Sequence, residues 1–187
     1  MDQSCGVCGR LTVRLKRAKE SRVLIDAEGF RPNVGIVLMS PTGKVLWAKR
    51  QGQEAWQFPQ GGIQTGETPE AAVFRELHEE VGLSPADVTV LGSTSEWLRY
   101  RLPDRYLRSG VGDSRFVGQK QRWFLLLGKA IEDRVCFNVT PTPEFEAWRW
   151  VDFWYPIDNV IDFKKDVYQK ALERLAPIRQ AYLDGCR

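Results

Sequence analysis

The chain has 187 residues, 43% of them hydrophobic and 27% charged, a composition typical of one folded domain, or of one domain with a tail. Its formal net charge of +3 indicates no particular partner by itself. The apolar runs are too short to cross a bilayer, no secretory signal is recognisable, and four cysteines are too few for a disulfide framework. We therefore exclude a transmembrane protein, a small disulfide-rich secreted protein and a disordered chain, and we expect a cytoplasmic location.

The first predicted strands follow a basic N-terminal extension. Residues 1–28 combine several bases with scattered aliphatic residues, which favours a flexible arm or a short amphipathic helix. The apolar run 34–39 predicts a buried strand, residues 41–43 a turn, and the run 45–48 the antiparallel partner of that strand. Residues 56–58 alternate in polarity and predict a further short strand.

A helix over residues 69–81 is predicted from signals at both of its ends. Thr68 is a suitable N-cap, Pro69 fits the first helical position, and Gly82 can adopt the left-handed conformation that ends a helix. At about 100° per residue, one apolar stripe of this helix faces the core. That stripe consists of Val73, Phe74, Leu77 and Val81.

Three glutamates of the same helix lie on a neighbouring arc. Glu76, Glu79 and Glu80 have the spacing i, i+3 and i+4, and such neighbours repel each other by roughly 0.2–0.5 kcal/mol per pair. A divalent cation would turn this repulsion into attraction, and oxygen ligands without cysteine or histidine favour magnesium or manganese over zinc. Arg75 precedes Glu79 by four residues and could orient its carboxylate. The alternative is a solvated acidic helix face, which three glutamates alone would favour.

The remaining elements complete an α/β pattern. Strands are predicted at residues 88–91, 122–127 and 145–151, and residues 164–182 have helical spacing that Pro177 should kink or interrupt. A mixed sheet with a helix on each face would bury these elements. Residues 97–122 contain seven bases and two acids, which suggests a polyanion site, although an ordinary solvated face also fits these counts.

The segment 61–83 resembles the Nudix box, whose pattern is Gly-x5-Glu-x7-Arg-Glu-U-x-Glu-Glu-x-Gly-U, with U a bulky aliphatic residue. Every defined position is filled without a gap, and a chance match in this chain has a probability of about one in a million. The matching residues are Gly61, Glu67, Arg75, Glu76, Leu77, Glu79, Glu80, Gly82 and Leu83.

The resemblance to the Nudix hydrolases implies a fold, a cofactor and a reaction. The implied fold is an α/β/α sandwich with a mixed β-sheet, in which a loop-helix-loop forms the metal site. Members of the family hydrolyse a nucleoside diphosphate linked to another group. By the family's pattern, Glu76, Glu79 and Glu80 bind Mg²⁺ or Mn²⁺, as one ion or more. The supporting residues of the box are Gly61, Glu67, Arg75 and Gly82.

Segments outside the box resemble the bacterial RNA pyrophosphohydrolases, a branch that is also called dinucleoside polyphosphate hydrolases. The similar segments are 29–35, 56–62, 97–100, 118–124, 142–145, 148–150 and 163–164. The likeness extends from about Gly29 to about Glu173. We therefore expect a Nudix domain at 29–173, an extension at 1–28, and the end of the last helix with a tail at 174–187.

The same branch implies site residues outside the box. Glu144 matches a carboxylate that closes on the metal cluster, so the expected catalytic carboxylates are Glu79, Glu80 and Glu144, with Glu144 a candidate general base; its alternative is a surface acid. The matching arginine and lysine side chains would contact the phosphates or the nucleotide, and the aromatic ring of Phe163 would stack on the nucleobase of the second nucleotide. Arg50 could instead be a surface base, and Phe163 a core residue. The implied substrate contacts are Arg31, Arg50, Tyr100, Gln119, Phe163 and Lys164.

The sequence thus predicts an enzyme that converts 5′-triphosphate or 5′-diphosphate RNA ends to 5′-monophosphate, which promotes RNA decay. The basic stretch would hold the first nucleotides, mostly through their phosphates. The nearest alternative is a dinucleoside polyphosphate hydrolase; a nucleotide-binding regulator without catalysis and an RNA-binding module driven by residues 1–28 are further ones. The expected partners are 5′-phosphorylated RNA or nucleoside polyphosphates, with no membrane and no stable protein partner.

Overall fold

The computed structural model describes residues 24–107 and 116–185. The predictions for residues 1–23, and for the bases Arg108 and Arg115 of the basic stretch, lie outside the described residues. Among the helices of the two described ranges, none combines the length and the apolar character that crossing a membrane requires.

The described residues form one mixed sheet of eight strands. These strands are β1 (Phe30–Met39), β2 (Val45–Arg50), β3 (Trp56–Gln57), β4 (Gln60–Gly62), β5 (Val88–Ser93), β6 (Leu98–Arg101), β7 (Gly118–Gly128) and β8 (Phe145–Val151). Five of them follow one another in the order β3-β2-β1-β7-β5, while β4 pairs with β1, β6 with β7 and β8 with β2.

The parallel pairing of β1 with β7 is the centre of this sheet. It extends from Phe30 opposite Gly118 to Met39 opposite Leu127, and the other strand pairings are antiparallel. On its other side, β1 pairs with β4 near its start and with β2 at Met39. This change of partner along β1 brings β4, which contains the first residues of the box, next to the start of β1.

Helices cover both faces of the sheet. The described residues contain the α-helices α1 (Pro69–Val81), α2 (Asp104–Leu107), α3 (Tyr155–Asn159) and α4 (Asp162–Gly185). Successive residues of β1 point to opposite faces, so Val34 and Ile36 pack towards α1, while Val37 and Met39 pack towards α4. The result is an α/β/α sandwich with two apolar cores, which confirms the predicted fold class.

Four large aromatic side chains occupy the centre of the core under α4. The Tyr168 ring stacks on Phe58 with centroids 5.3 Å apart and meets Trp123 edge to face at 5.1 Å, while Trp47 meets Phe58 at 5.1 Å. The Phe58 N–H donates a hydrogen bond of 3.1 Å to the Tyr168 hydroxyl. This buried bond connects α4 with the segment between β3 and β4.

The strands predicted from the sequence are confirmed, with several beginning earlier or ending later in the structure. The strands β4 and β6 were not predicted, because both are short, β4 has no alternation, and the alternation in β6 also occurs in loops. The expected interruption at Pro177 is wrong, since α4 continues to Gly185. Pro177 is exposed, and the packing of Leu175 and Ile178 against the core offsets the one backbone hydrogen bond that proline removes.

The substitution Tyr168→Phe is expected to destabilise the fold by about 1–3 kcal/mol, because it leaves the buried Phe58 N–H without a partner. The control is Tyr155→Phe, which removes a hydroxyl that accepts from Arg149 at the surface and should change stability by less than about 0.5 kcal/mol. Urea unfolding of both variants measures the difference, and equal losses would contradict the role given to the buried bond.

Candidate active site

Helix α1 is fixed at both ends by the local interactions that the sequence predicted. The Thr68 side chain accepts a hydrogen bond of 3.2 Å from the Ala71 N–H. Gly82 ends the helix in the left-handed conformation, with φ at 77°, and its N–H donates to the His78 carbonyl. The apolar stripe of α1 packs on the sheet and thereby turns its acidic face towards β4.

Arg75 joins the loop before α1 to the acidic face. Its guanidinium donates from Nε and Nη2 to the two carboxylate oxygens of Glu67, at 2.8 and 2.9 Å, and from Nη2 to the Gly62 carbonyl at 2.8 Å. This two-pronged contact has the geometry of the strong arginine–carboxylate pairs. Hydrogen bonding to Arg75 lowers the pKa of Glu67, and the same contact raises the pKa of Arg75.

The remaining guanidinium nitrogen of Arg75 holds two of the clustered glutamates. Its Nη1 donates to Glu76 at 2.6 Å and to Glu79 at 3.1 Å. Arg75 therefore orients Glu79, as predicted, but its contacts with Glu67 and Glu76 are shorter. Part of the repulsion within the acidic face is thus offset by an arginine of the same helix.

The two glycines at the end of β4 leave room for functional side chains. A Cβ on Gly61 would overlap the carboxyl group of Glu76, and a Cβ on Gly62 would overlap the guanidinium of Arg31. Glycine is the only residue that lets both side chains approach the backbone of β4 this closely. The Gly-Gly pair is therefore required here for space.

Glu80 is the most buried carboxyl group of the cluster, with 4% of the residue exposed. One oxygen accepts a hydrogen bond of 2.9 Å from the Gln60 N–H, while Oε1 has no partner within residues 24–107 and 116–185. Burial raises the pKa of Glu80 well above its usual value, and the nearby charges of Glu144 and Glu76 raise it further. Burial also raises the pKa of Glu76, although Arg75 opposes that effect.

Glu144 reaches the same place from a distant part of the chain, directly before β8. Its carbonyl oxygen accepts a hydrogen bond of 2.8 Å from the Gln51 N–H, and its side chain is exposed. Together with Glu76 and Glu79 it lines a polar cleft of about 420 Å³. The other walls of the cleft include three residues predicted as substrate contacts, which are Arg31, Arg50 and Gln119.

Lys164 lies at the floor between this cleft and a second pocket. Its ammonium group donates to the side-chain oxygens of Gln57 at 2.9 Å and Gln60 at 3.3 Å. Burial, together with the neighbouring charge of Arg50, lowers the pKa of Lys164 to about 8. The lysine is thus a buried cation held by neutral amides, and no local pattern in the sequence indicated that these two glutamines would hold it.

The second pocket is about 340 Å³ in volume and shares Arg50 and Gln57 with the cleft. Three aromatic side chains line it, and two of them, Tyr106 and Phe163, have ring centroids 5.1 Å apart. Phe163 packs partly against the core and also faces this pocket, so both interpretations of the sequence describe part of its surroundings. The third ring is that of Trp56.

Tyr100 lines neither the cleft nor the second pocket. Its side chain is buried, and its hydroxyl donates a hydrogen bond of 2.6 Å to Gln119, which also accepts one of 3.0 Å from Asn33. Burial raises the pKa of Tyr100, so the hydroxyl stays a donor. Sequence reasoning missed Asn33, Gln57 and Gln60; the polar position of Gln57 within the alternating strand predicted at 56–58 was a signal for that residue, while Asn33 and Gln60 lay outside the predicted strands.

A family model described as the NUDIX domain matches residues 29–174 of this chain. The chain belongs to the Nudix family. It is similar to a protein named RNA pyrophosphohydrolase from Marinomonas sp., with 58% identity over 82% of this chain and 95% of that protein. A protein of the same name from Halorhodospira halophila is 56% identical over 84% of this chain and 86% of that protein. The solved E. coli dihydroneopterin triphosphate pyrophosphohydrolase has the same fold, with a TM-score of 0.59, 17% identity, and coverage of 75% of this chain and 95% of that one.

Nudix hydrolases generally use divalent metal ions, and the donors here fit such an ion in their chemistry. They are carboxylate oxygens, they crowd one another, and Glu80 Oε1 has no other partner among the described residues. In that part of the chain, however, no three His, Cys, Asp or Glu side chains already surround one point. Arg75 draws Glu76 and Glu79 to itself, so an ion would compete with Arg75 for these two carboxylates.

The variant Glu80→Gln is expected to be more stable than the wild type at neutral pH when EDTA removes metal ions. A carboxyl whose pKa is higher in the folded protein stabilises the fold while it is protonated, and this stabilisation is lost as pH rises from the unfolded value near 4.5 through the folded pKa. A glutamine makes no such transition.

Urea unfolding of both proteins over a series of pH values measures this effect. The difference in free energy of unfolding between the two should grow as pH rises above 4.5. The exposed Glu173 on α4 provides the control variant Glu173→Gln, which should show no such trend. A difference that stays constant with pH would contradict the raised pKa.

Proposed function

We propose that this Nudix family member removes pyrophosphate, or phosphates stepwise, from the 5′ end of RNA and leaves a 5′-monophosphate. The observation that carries the proposal is a polar cleft in which the acidic face of α1 meets Arg31 and Arg50, and which adjoins an aromatic pocket. The names of the relatives from Marinomonas and Halorhodospira support it. A cytoplasmic location, where new transcripts are available, is part of the same proposal.

The cleft and the pocket divide the substrate between them in this proposal. Arg31, Arg50 and Lys164 would hold the 5′ phosphates, because Arg31 and Arg50 line the cleft beside the carboxylates and Lys164 lines the adjoining pocket that shares Arg50. Phe163 would stack a base of the second nucleotide in the adjoining pocket, which contributes about 1–3 kcal/mol. Gln119, fixed by Tyr100, would donate its amide hydrogens to the same nucleotide.

The carboxylates would have two tasks. Glu76, Glu79, Glu80 and Glu144 would hold Mg²⁺ or Mn²⁺, which when bound polarises phosphate oxygens and acidifies water. Glu144 is the candidate general base, because its exposed side chain faces the cleft and can pass a proton to solvent. Glu67 and Gly82 would act at a distance, one by fixing Arg75 and the other by ending α1.

Triphosphorylated RNA incubated with the protein and magnesium is expected to release pyrophosphate or phosphate. Glu144→Gln should lower kcat at least about 100-fold, since it removes the proposed proton acceptor. The matched control is Glu173→Gln on the surface of α4, which should leave the rate unchanged. Release from RNA labelled at the γ- or β-phosphate measures the rate, and a wild type that releases neither label would reject the proposal.

A dinucleoside tetraphosphate offered at equal concentration tests the nearest alternative in the same reaction. Preferential hydrolysis of RNA supports the proposal, while preferential hydrolysis of the dinucleoside tetraphosphate would assign the protein to that alternative activity. The ratio of the two kcat/KM values is the quantity to compare.

Manganese binding tests the metal site without any turnover. The substitution Gly61→Ala is expected to weaken Mn²⁺ binding at least about tenfold, because the added methyl group displaces the carboxyl of Glu76. Glu173→Gln is again the control. Titration followed by electron paramagnetic resonance gives the dissociation constants, and unchanged binding by Gly61→Ala would contradict the position given to Glu76.

A further inference from the structure

The bases that β6 and β7 contribute to the predicted basic stretch lie on the α1 face of the sheet, opposite the face on which Gln119 lines the cleft. Strand β6 pairs with β7 so that Tyr100 is opposite Gln119 and Arg99 is opposite Lys120. Because successive residues of a strand point to opposite faces, Gln119 lines the cleft while Lys120 and Arg99 point to the other side. The bases on this side do not line the cleft.

These bases form a surface with two aromatic rings, which we name the β6–β7 basic surface. It consists of Arg99, Arg101, Lys120, Phe30 and Trp97. The guanidinium carbons of Arg99 and Arg101 lie 5.4 and 5.7 Å from the centre of the Phe30 ring, and the Lys120 ammonium lies 5.2 Å from the Trp97 ring. Such stacking on aromatic rings orients the cations and leaves their outer N–H groups available.

Two acidic residues partly neutralise the β6–β7 basic surface. Arg99 and Lys120 are like charges directly across a strand pair, which is unfavourable by itself. Asp26 forms an ion pair with Lys120 and Glu28 forms one with Arg99, each with a nitrogen–oxygen distance of 2.8 Å. Asp26 also accepts the N–H groups of Glu28 and Phe30, so it is part of the turn. The Glu28 side chain is 58% exposed, and among the described residues Arg99 is its ion-pair partner.

We propose that the β6–β7 basic surface binds the phosphates of single-stranded RNA downstream of the nucleotides in the cleft, in competition with Glu28. This inference rests on the proposed function, since the RNA must be the substrate whose 5′ end occupies the cleft. The chain connects the two places: Tyr106 lines the aromatic pocket, Arg105 stacks on its ring at 5.1 Å, and residues 102–104 join Arg105 to Arg101 at the end of β6.

The nature of the bases favours RNA phosphates over other anions. Arginine forks match phosphate oxygens in geometry, and β6 is an edge strand that pairs only with β7 in the described residues, so an extended backbone can pass around it. The contact becomes intramolecular once the 5′ end is bound, so even weak attraction raises the affinity for longer RNA. A dinucleotide is too short to gain from it.

The double substitution Arg99→Gln and Arg101→Gln tests the proposal with two triphosphorylated substrates, a dinucleotide and an unstructured RNA of about ten nucleotides. We expect kcat/KM to fall about fivefold for the longer RNA and to stay the same for the dinucleotide. The slope of log kcat/KM against log salt should also become shallower by about 0.7 for each phosphate that the surface no longer neutralises. An equal change for both substrates, or no change for either, would overturn the proposal.

Two further variants make the test specific to charge. The pair Arg99→Lys and Arg101→Lys should retain most of the preference for longer RNA and show that the surface is still folded. Glu28→Gln should raise kcat/KM for the longer RNA, because it frees Arg99; unchanged turnover would overturn the competition. Lys170→Gln on α4, which removes an exposed cation paired with Asp166, is the matched control.

The outcomes separate this inference from the proposed function. Turnover of the dinucleotide by the wild type supports the proposed function whatever the β6–β7 basic surface does. If neither RNA is turned over, the proposed function fails. Binding of a 5′-monophosphorylated RNA of about ten nucleotides, measured by fluorescence anisotropy, then still tests the surface, since Arg99→Gln with Arg101→Gln must weaken it.

Discussion

The contact between α1 and β4 is the constraint on which the rest of the site depends. Three side chains of α1, those of Arg75, Glu76 and Glu80, reach the backbone of β4 or lie against it. Glu76 can do so because Gly61 has no side chain, and the absent side chain of Gly62 leaves room for Arg31. A larger residue at position 61 would displace the Glu76 carboxyl from the strand, and both the acidic cluster and the cleft beside it would lose their common wall.

Burial gives the acidic cluster its chemical character. Carboxyl groups that are removed from water and lie near one another are held at raised pKa, and a positive charge is the natural compensation. Arg75 supplies that charge to two of them while its fork stays on Glu67. A lysine has no planar fork and could not hold the loop and the acidic face together. In the proposed metal site, a metal ion would therefore replace Arg75 as the cation beside Glu76 and Glu79.

The pairing of β6 with β7 separates two kinds of charge in the same segment. Gln119, held by the buried Tyr100, forms part of the wall of the cleft, while the adjacent Arg99 and Lys120 form a basic surface on the other face of these strands. The sequence shows only a stretch rich in bases. A two-residue period in that stretch would have been visible, but residues that alternate in this way also occur in loops, and no local signal marked β6 as a strand.

The sequence by itself determined the features that depend on near neighbours: the ends of α1 at Thr68 and Gly82, the arc of three glutamates, most strands, and the family to which the box belongs. Glu144 was expected near that arc from the family resemblance, but only the tertiary structure decided that Gln57 and Gln60 hold Lys164 and that Pro177 is tolerated within α4. Capping and helical spacing act over a few residues, so they can be read along the chain. Contacts between residues that are 104 or 107 positions apart, as between Lys164 and these two glutamines, depend on strand register and on which face of the sheet each side chain occupies, and these are set by packing of the whole core.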